Sequence, residues 1–172
     1  KRNDSVGRTD ARRTMKWTEG KIEGVEVRVP KRCADARGWL MEFFRSDEMR
    51  PETMPAMGYV SVTHAGVARG PHEHLEQTDL FVFAGPGTFK IKLWDHRKTS
   101  PTCGRMMTLV AGEREPAVIV VPPGVVHGYR NVSSSDAFVL NFPDRLYAGP
   151  GRSSAVDEVR YENGANPDFV LD

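Results

Sequence analysis

The sequence predicts an all-β domain. Three observations carry that prediction. Short apolar runs recur along the 172 residues, with Gly, Pro, Asn and Asp between them. The runs are rich in Val, Ile, Phe and Trp, which suit a pleated, half-buried surface. No segment carries an apolar stripe of helical period longer than about three turns. Strands at this spacing argue for a β-sandwich or barrel.

The elements follow in chain order. Residues 1–20 are polar and basic, include Arg12 and Arg13, and show no periodicity. They read as a flexible N-terminal arm, and a single domain is expected over 21–172. Candidate strands lie at 25–29, 39–44, 58–63, 80–84, 88–94, 105–110, 117–121, 126–131 and 138–142. Gly85-Pro86-Gly87 is a turn between two of them. Phe89, Ile91 and Leu93 alternate with Lys90 and Lys92, so the apolar three are expected on the core face. Residues 163–168 read as a loop, closed by a short apolar plug of Phe169, Val170 and Leu171.

Composition narrows the partners. The chain has 24 basic and 23 acidic residues, a net charge of +1, which gives no argument for nucleic acid or a membrane surface. No apolar run approaches the roughly 18 residues that span a bilayer, and no apolar leader core is visible. A cytoplasmic location is therefore expected. Cys33 and Cys103 are too few for a disulfide framework and are expected to be buried or idle thiols.

Four of the five histidines, His64, His72, His74 and His127, fall near two turn-flanked strand-like stretches. The first is Arg69-Gly70-Pro71-His72-Glu73-His74-Leu75-Glu76-Gln77-Thr78-Asp79. The second is Pro122-Pro123-Gly124-Val125-Val126-His127-Gly128-Tyr129-Arg130-Asn131. Residues i and i+2 of a strand share a face, so His72 and His74 point to one interior region. Converging imidazoles suit a metal ion or proton transfer at neutral pH. His64 is expected to face solvent, and His96 to sit in a turn.

These stretches resemble the paired motifs of the cupin superfamily. Pro122, Gly124, His127 and Asn131 match its second motif, and His72, His74 and Asp79 stand in its first. The resemblance implies a cupin jelly roll (double-stranded β-helix) with short terminal extensions. A narrower resemblance covers most of the chain. Residues 35–42 (DARGWLME), 66–72 (GVARGPH), 94–104 (WDHRKTSPTCG) and the Pro-Pro-Gly-x-x-His-Gly motif are similar to segments of dTDP-4-dehydrorhamnose 3,5-epimerases, in the same order.

That resemblance implies an epimerase or isomerase acting on a nucleotide-linked 4-keto-6-deoxy sugar, without a cofactor. His72 would remove a proton beside the ketone, and Tyr147 would supply a phenolic acid. Arg37 and Arg69 would hold the diphosphate, since a guanidinium fork matches phosphate oxygens. Glu42, His74, Gln77, His127 and Asn141 would line the substrate site. Asp79 stands where the family carries an enolate-stabilising Lys, and Asn141 where it carries a second Tyr. The family's orienting Asp is missing, with Asp168, Asp172 and Glu76 as substitutes. A homodimer is implied, with the Trp39 region reaching the neighbouring site. Two other readings stand beside this one. A metal-dependent cupin would use His72, His74, Asp79 and His127 around one divalent transition metal. A non-catalytic relative would only bind the sugar nucleotide.

Overall fold

The computed structural model describes residues 15–162 and 166–172. Thirteen strands follow one another with no α-helix among the described residues. They are β1 (Thr18–Glu19), β2 (Glu26–Arg28), β3 (Arg32–Asp35), β4 (Gly38–Met41), β5 (Tyr59–Thr63), β6 (Ala68–Glu73) and β7 (Asp79–Phe83). They continue with β8 (Thr88–Asp95), β9 (Arg105–Gly112), β10 (Ala117–Val121), β11 (Val125–Asn131), β12 (Ala137–Asn141) and β13 (Val159–Arg160). Every expected strand is present, with ends shifted by a few residues. No helix among the described residues is long and apolar enough to cross a membrane.

Two sheets make the jelly roll. One runs β1-β9-β8-β11-β6-β13 and the other β2-β10-β7-β12-β5. Their facing sides bury Phe81, Phe83, Ile119 and Val139 against Phe89, Ile91, Leu93 and Tyr129. Burial of each such side chain stabilises by roughly 1.5–3 kcal/mol. β10 is buried at every position because both of its faces are covered. Ala117, Ile119 and Val121 face the second sheet, while Val118 and Val120 pack under Phe43, Phe44 and Met49.

The outer face of the six-stranded sheet is also covered. Trp94 and Val126 are buried there beneath Phe169, with Trp17 and Leu171 beside them. The C-terminal plug therefore closes this face. Lys90 and Lys92 do lie opposite the core residues, as the alternation requires, but Lys92 is buried. Its ammonium donates to Val170 O at 3.2 Å and pairs with Asp172.

Four elements depart from the sequence reading. Residues 1–14 of the expected arm lie outside the described residues, but Thr18–Glu19 pairs in parallel with β9 at Arg105–Met106. The ordered fold thus begins before residue 21. β3 pairs only with β4, forming a separate hairpin. β13 pairs with β6 at Glu73 and His72. Of the two alternatives for Cys33 and Cys103, buried or idle, the buried one is excluded, since both are exposed free thiols. Residues 163–165 of the expected tail loop lie outside the described residues.

Asp95 explains why the 94–104 segment holds one shape. It ends β8 fully buried. Its carboxylate accepts from Arg97 Nε at 2.8 Å, Ser100 Oγ at 2.5 Å and Thr102 Oγ1 at 2.6 Å. Burial opposes its ionisation, but these bonds hold its pKa well below the ordinary carboxylate range. A depressed folded-state pKa gives stability that is present above the unfolded value, about 3.9, and is lost as pH falls. Thermal unfolding followed from pH 7 to pH 2 is expected to show a falling midpoint below about pH 4. Asp95→Asn should flatten that decline.

Candidate active site

The site forms where β6, β7 and β11 meet. His72 on β6 lies opposite His127 on β11, and the register shifts between His127 and Tyr129. Gly70 makes this bulge possible. It has φ of +81°, and a Cβ there would lie 2.7 Å from the carbonyl oxygen of His127. His74 follows β6 by one residue and shares the His72 face. The ring centroids of His72 and His127 are 4.4 Å apart, those of His72 and His74 5.5 Å, and those of His74 and His127 6.0 Å.

Asp79 opens β7 and is 1% exposed. Its Oδ2 lies 3.2 Å from His74 Nε2 and 3.3 Å from His127 Nε2. Its Oδ1 accepts from Gln77 Nε2 and Asn141 Nδ2, both at 2.9 Å. Burial opposes ionisation, yet the imidazoles of His127 and His74 hold its pKa far below the ordinary range. The acid at this position is therefore an anion inside a clasp of two imidazoles.

His74 has a partner at each ring nitrogen. Nε2 faces Asp79, and Nδ1 bonds the backbone oxygen of Asp157. Asp79 Oδ2 meets the ring as an ion-pair partner rather than an aligned hydrogen-bond acceptor, and that pairing favours the imidazolium. Burial disfavours that charge, but Asp79 overrides it and raises the pKa to about 9. His72 behaves oppositely. Burial, reinforced by the charges of His127 and His74, pushes its pKa down to about 2. His72 is thus a neutral imidazole beside a charged one. Its Nδ1 is buried without a hydrogen-bond partner, leaving Nε2 to face the pocket that the residue lines.

The pocket gathers some expected residues and leaves others out. Arg69, His72, His74, Gln77 and Tyr147 line it. Arg69 donates from Nε to Thr63 Oγ1 at 3.0 Å and from Nη2 to Val62 O at 2.6 Å. Tyr147 is 57% exposed at the rim. His127 and Asn141 are buried at 3% and 1%, so they support Asp79 from behind instead of lining the pocket. Arg37 and Glu42 do not reach the pocket of their own chain. Arg37 sits at the tip of the β3–β4 hairpin, paired with Asp35 at 2.6 Å. Glu42 pairs with Arg45 at 3.6 Å.

None of the three acids considered for orienting the base pairs with His72. Asp168 accepts from Met15 N, Asp172 pairs with Lys92, and Glu76 pairs with Arg145. The nearby acid is Glu158, whose Oε1 lies 3.9 Å from His72 Nδ1. The reading of single residues missed it because β13 has only two residues and little apolar character. No periodic signal marked it, since residues 156–160 (VDEVR) do not alternate between apolar and polar.

Asp157 anchors this segment. Its carboxylate accepts from the backbone N–H groups of Leu75, Glu76 and Gln77 at 2.9, 2.9 and 3.0 Å.

Three phenols were also missed. Tyr59, Tyr129 and Tyr161 line the pocket. Tyr59 accepts at its hydroxyl from Asn141 Nδ2 at 2.9 Å. Burial pushes the Tyr129 hydroxyl up to about 12.

Behind β6, Glu73 points away from the histidines and is 5% exposed. Its Oε2 lies 2.8 Å from His96 Nε2, and its Oε1 accepts from the Tyr161 hydroxyl. His96, in the connection just after β8, also braces the strand that carries His72. Glu73→Ala is expected to cost about 2–3 kcal/mol, because it leaves two polar partners under the C-terminal plug unpaired. Urea unfolding would measure it, and a loss under about 0.5 kcal/mol would show that this brace contributes little.

The family model described as dTDP-4-dehydrorhamnose 3,5-epimerase matches residues 19–157. The probable low-salt glycan biosynthesis epimerase Agl13 of Haloferax volcanii is 41% identical over 127 residues, covering 73% of this chain and 81% of that protein. The spore coat polysaccharide biosynthesis protein SpsL of Bacillus subtilis is 32% identical over 126 residues, covering 73% and 82%. The crystal structure of NovW, a 4-keto-6-deoxy sugar epimerase from Streptomyces spheroides, superposes with a TM-score of 0.73. It is 24% identical, with 93% of this chain and 79% of that one covered, and shows the shared fold. On the family match and the Haloferax relative together, the chain belongs to the dTDP-4-dehydrorhamnose 3,5-epimerase family and is a sugar-nucleotide epimerase.

Proposed function

We propose that the protein epimerises a nucleotide-linked 4-keto-6-deoxy sugar, with His72 as base and Tyr147 as acid. One observation supports this most: His72 lines the pocket with its Nδ1 buried and unpartnered, while His74 stands beside it already ion-paired with Asp79. The proton beside the ketone passes to His72 Nε2, and the C–H electron pair moves into the enolate. Tyr147 then returns a proton to the same carbon from the opposite face, and solvent restores both side chains. Asp79 does not oppose the enolate, because His74 already neutralises it.

The sugar-nucleotide phosphates would meet the arginines of the pocket wall. Arg69, Arg145, Arg152 and Arg160 all line it. Dispersed guanidinium groups suit a diphosphate. The neighbours whose crystal structures hold dTDP-quinovose and dTDP-4-keto-L-rhamnose support a ligand of this class.

The test is wash-in from heavy water. Incubation with dTDP-4-keto-6-deoxyglucose should place deuterium on a carbon next to the ketone. No incorporation would remove this reading for that sugar. Tyr147→Phe is expected to keep wash-in while cutting the inverted product about 10²-fold, since only the opposite-face donor is lost. Proton NMR of the sugar would separate the two.

The hairpin of β3 and β4 is the part of the fold that a second copy would use. Trp39 and Leu40 are 51% and 63% exposed on it, and Arg37 has no role in its own chain's pocket. The proposal is a homodimer in which this hairpin reaches the partner's site. A monomeric mass by light scattering would remove it.

A second reading follows from another observation. Asp79 Oδ2 and His127 Nε2 are buried without hydrogen-bond partners, although they lie 3.3 Å apart. With His72 and His74 they offer ligand atoms all within 4.8 Å of one another. Two kinds of donor, imidazole and carboxylate, fit one divalent transition metal. When bound, such a metal would act as a Lewis acid toward a carbonyl oxygen. Elemental mass spectrometry of untagged protein decides between the readings. About one metal per chain, lost in His74→Ala, would favour the second.

A further inference from the structure

We infer that Glu158, delivered by the segment leading into β13, is the positioning carboxylate of His72. The inference rests on the reading of His72 as the base. Glu158 lies one residue beyond the stretch matched by the family model, 19–157, so nothing in that match assigns it.

The geometry is built from both sides. His72 and Glu158 side chains are each 15% exposed. Glu158 Oε1 lies 3.9 Å from His72 Nδ1, an atom that is buried and otherwise unpartnered. The other oxygen, Oε2, is held by Arg160, which donates from Nε at 2.8 Å and pairs through Nη2 at 2.7 Å. Glu158 and Arg160 are two apart in extended chain, so they share a face. Arg160 pairs with His72 in the β13–β6 register. The arginine thus fixes one oxygen and turns the other toward the ring.

The backbone on both flanks is tied down. Asp157 accepts three N–H groups from the loop after β6. Glu162 Oε1 accepts from Gly70 N at 3.1 Å, at the bulge that aims His72. The carboxylate therefore stands on a rigid frame, not on a free loop. A separation of 3.9 Å is longer than a hydrogen bond, and such bonds commonly tighten only with substrate bound.

The chemistry follows from the ring. A proton on Nδ1 leaves the Nε2 lone pair free to take the substrate proton. After transfer the ring is a cation in a buried place, and Glu158 is the anion facing its Nδ1–H. Removing that anion slows proton abstraction without removing the base.

The experiment compares wild type, Glu158→Gln, Glu158→Asp and His72→Asn, each with dTDP-4-keto-6-deoxyglucose in heavy water. Glu158→Gln is expected to lower kcat for exchange about 10–100-fold while KM stays within about twofold. Glu158→Asp should recover part of that loss. Nitrogen-15 NMR should find the His72 proton on Nδ1 in wild type and a mixed tautomer in Glu158→Gln. Full kcat and an unchanged tautomer in Glu158→Gln, with His72→Asn inactive, would overturn the assignment of Glu158 alone. Exchange that survives in His72→Asn would overturn the base itself.

Discussion

His72→Asn is expected to reduce deuterium wash-in beside the ketone by about 10²–10⁴-fold, with the protein still folded. A positioned general base supplies that range, and no other neutral imidazole lines the pocket among the described residues. His127 is buried behind Asp79, and His74 is committed to two partners. The fold should tolerate the change because His72 Nδ1 is already unpartnered in its buried place. Circular dichroism would confirm a similar melting temperature. Wash-in at the wild-type rate would mean that His72 is not the base. A loss of bound metal in the same variant would instead move it to the ligand set.

The strands were legible because each obeys a local rule. Phe89, Ile91 and Leu93 alternate in sequence and occupy one buried face in the structure. Pro122, Pro123 and Gly124 announce a turn, and β11 starts at Val125 directly after it. The convergence of His72, His74, Asp79 and His127 was legible for the same reason, since strand periodicity fixes the face.

What failed was long-range and polar. Glu158 is 86 positions from His72, and only the β13–β6 pairing brings them together. The family's pattern pointed to Arg37 and Glu42, yet both project from a part of the chain that forms no wall of its own pocket. Lys92 was placed on the correct face, but its burial depends on a tail some eighty residues away in sequence. Lone charged residues carry no periodicity, so their partners are visible only after folding.

Asp79→Ala is expected to be the most destabilising single change at the site, costing about 3–5 kcal/mol. The aspartate is one node with four contacts. Its loss leaves the His74 imidazolium buried without its anion, and strips Gln77 Nε2 and Asn141 Nδ2 of their acceptor. For a chain of this size that corresponds to a fall in Tm of about 10 °C.

The pH dependence identifies the cause. The Asp79 pKa is depressed on folding, so its contribution is present above about pH 3.9 and fades as pH falls. The His74 pKa is raised to about 9, so its contribution is full below about pH 6.5 and is lost as pH rises through 9. The gap between wild type and Asp79→Ala should therefore be widest between about pH 4 and 6.5 and shrink on both sides. Asp79→Asn keeps Oδ1 as an acceptor for Gln77 and Asn141, and should lose less. A gap under about 1 kcal/mol at pH 6 would show that the clasp does not hold the site together. A chelator that lowers the wild-type Tm and leaves Asp79→Ala unmoved would assign part of that stability to a bound cation.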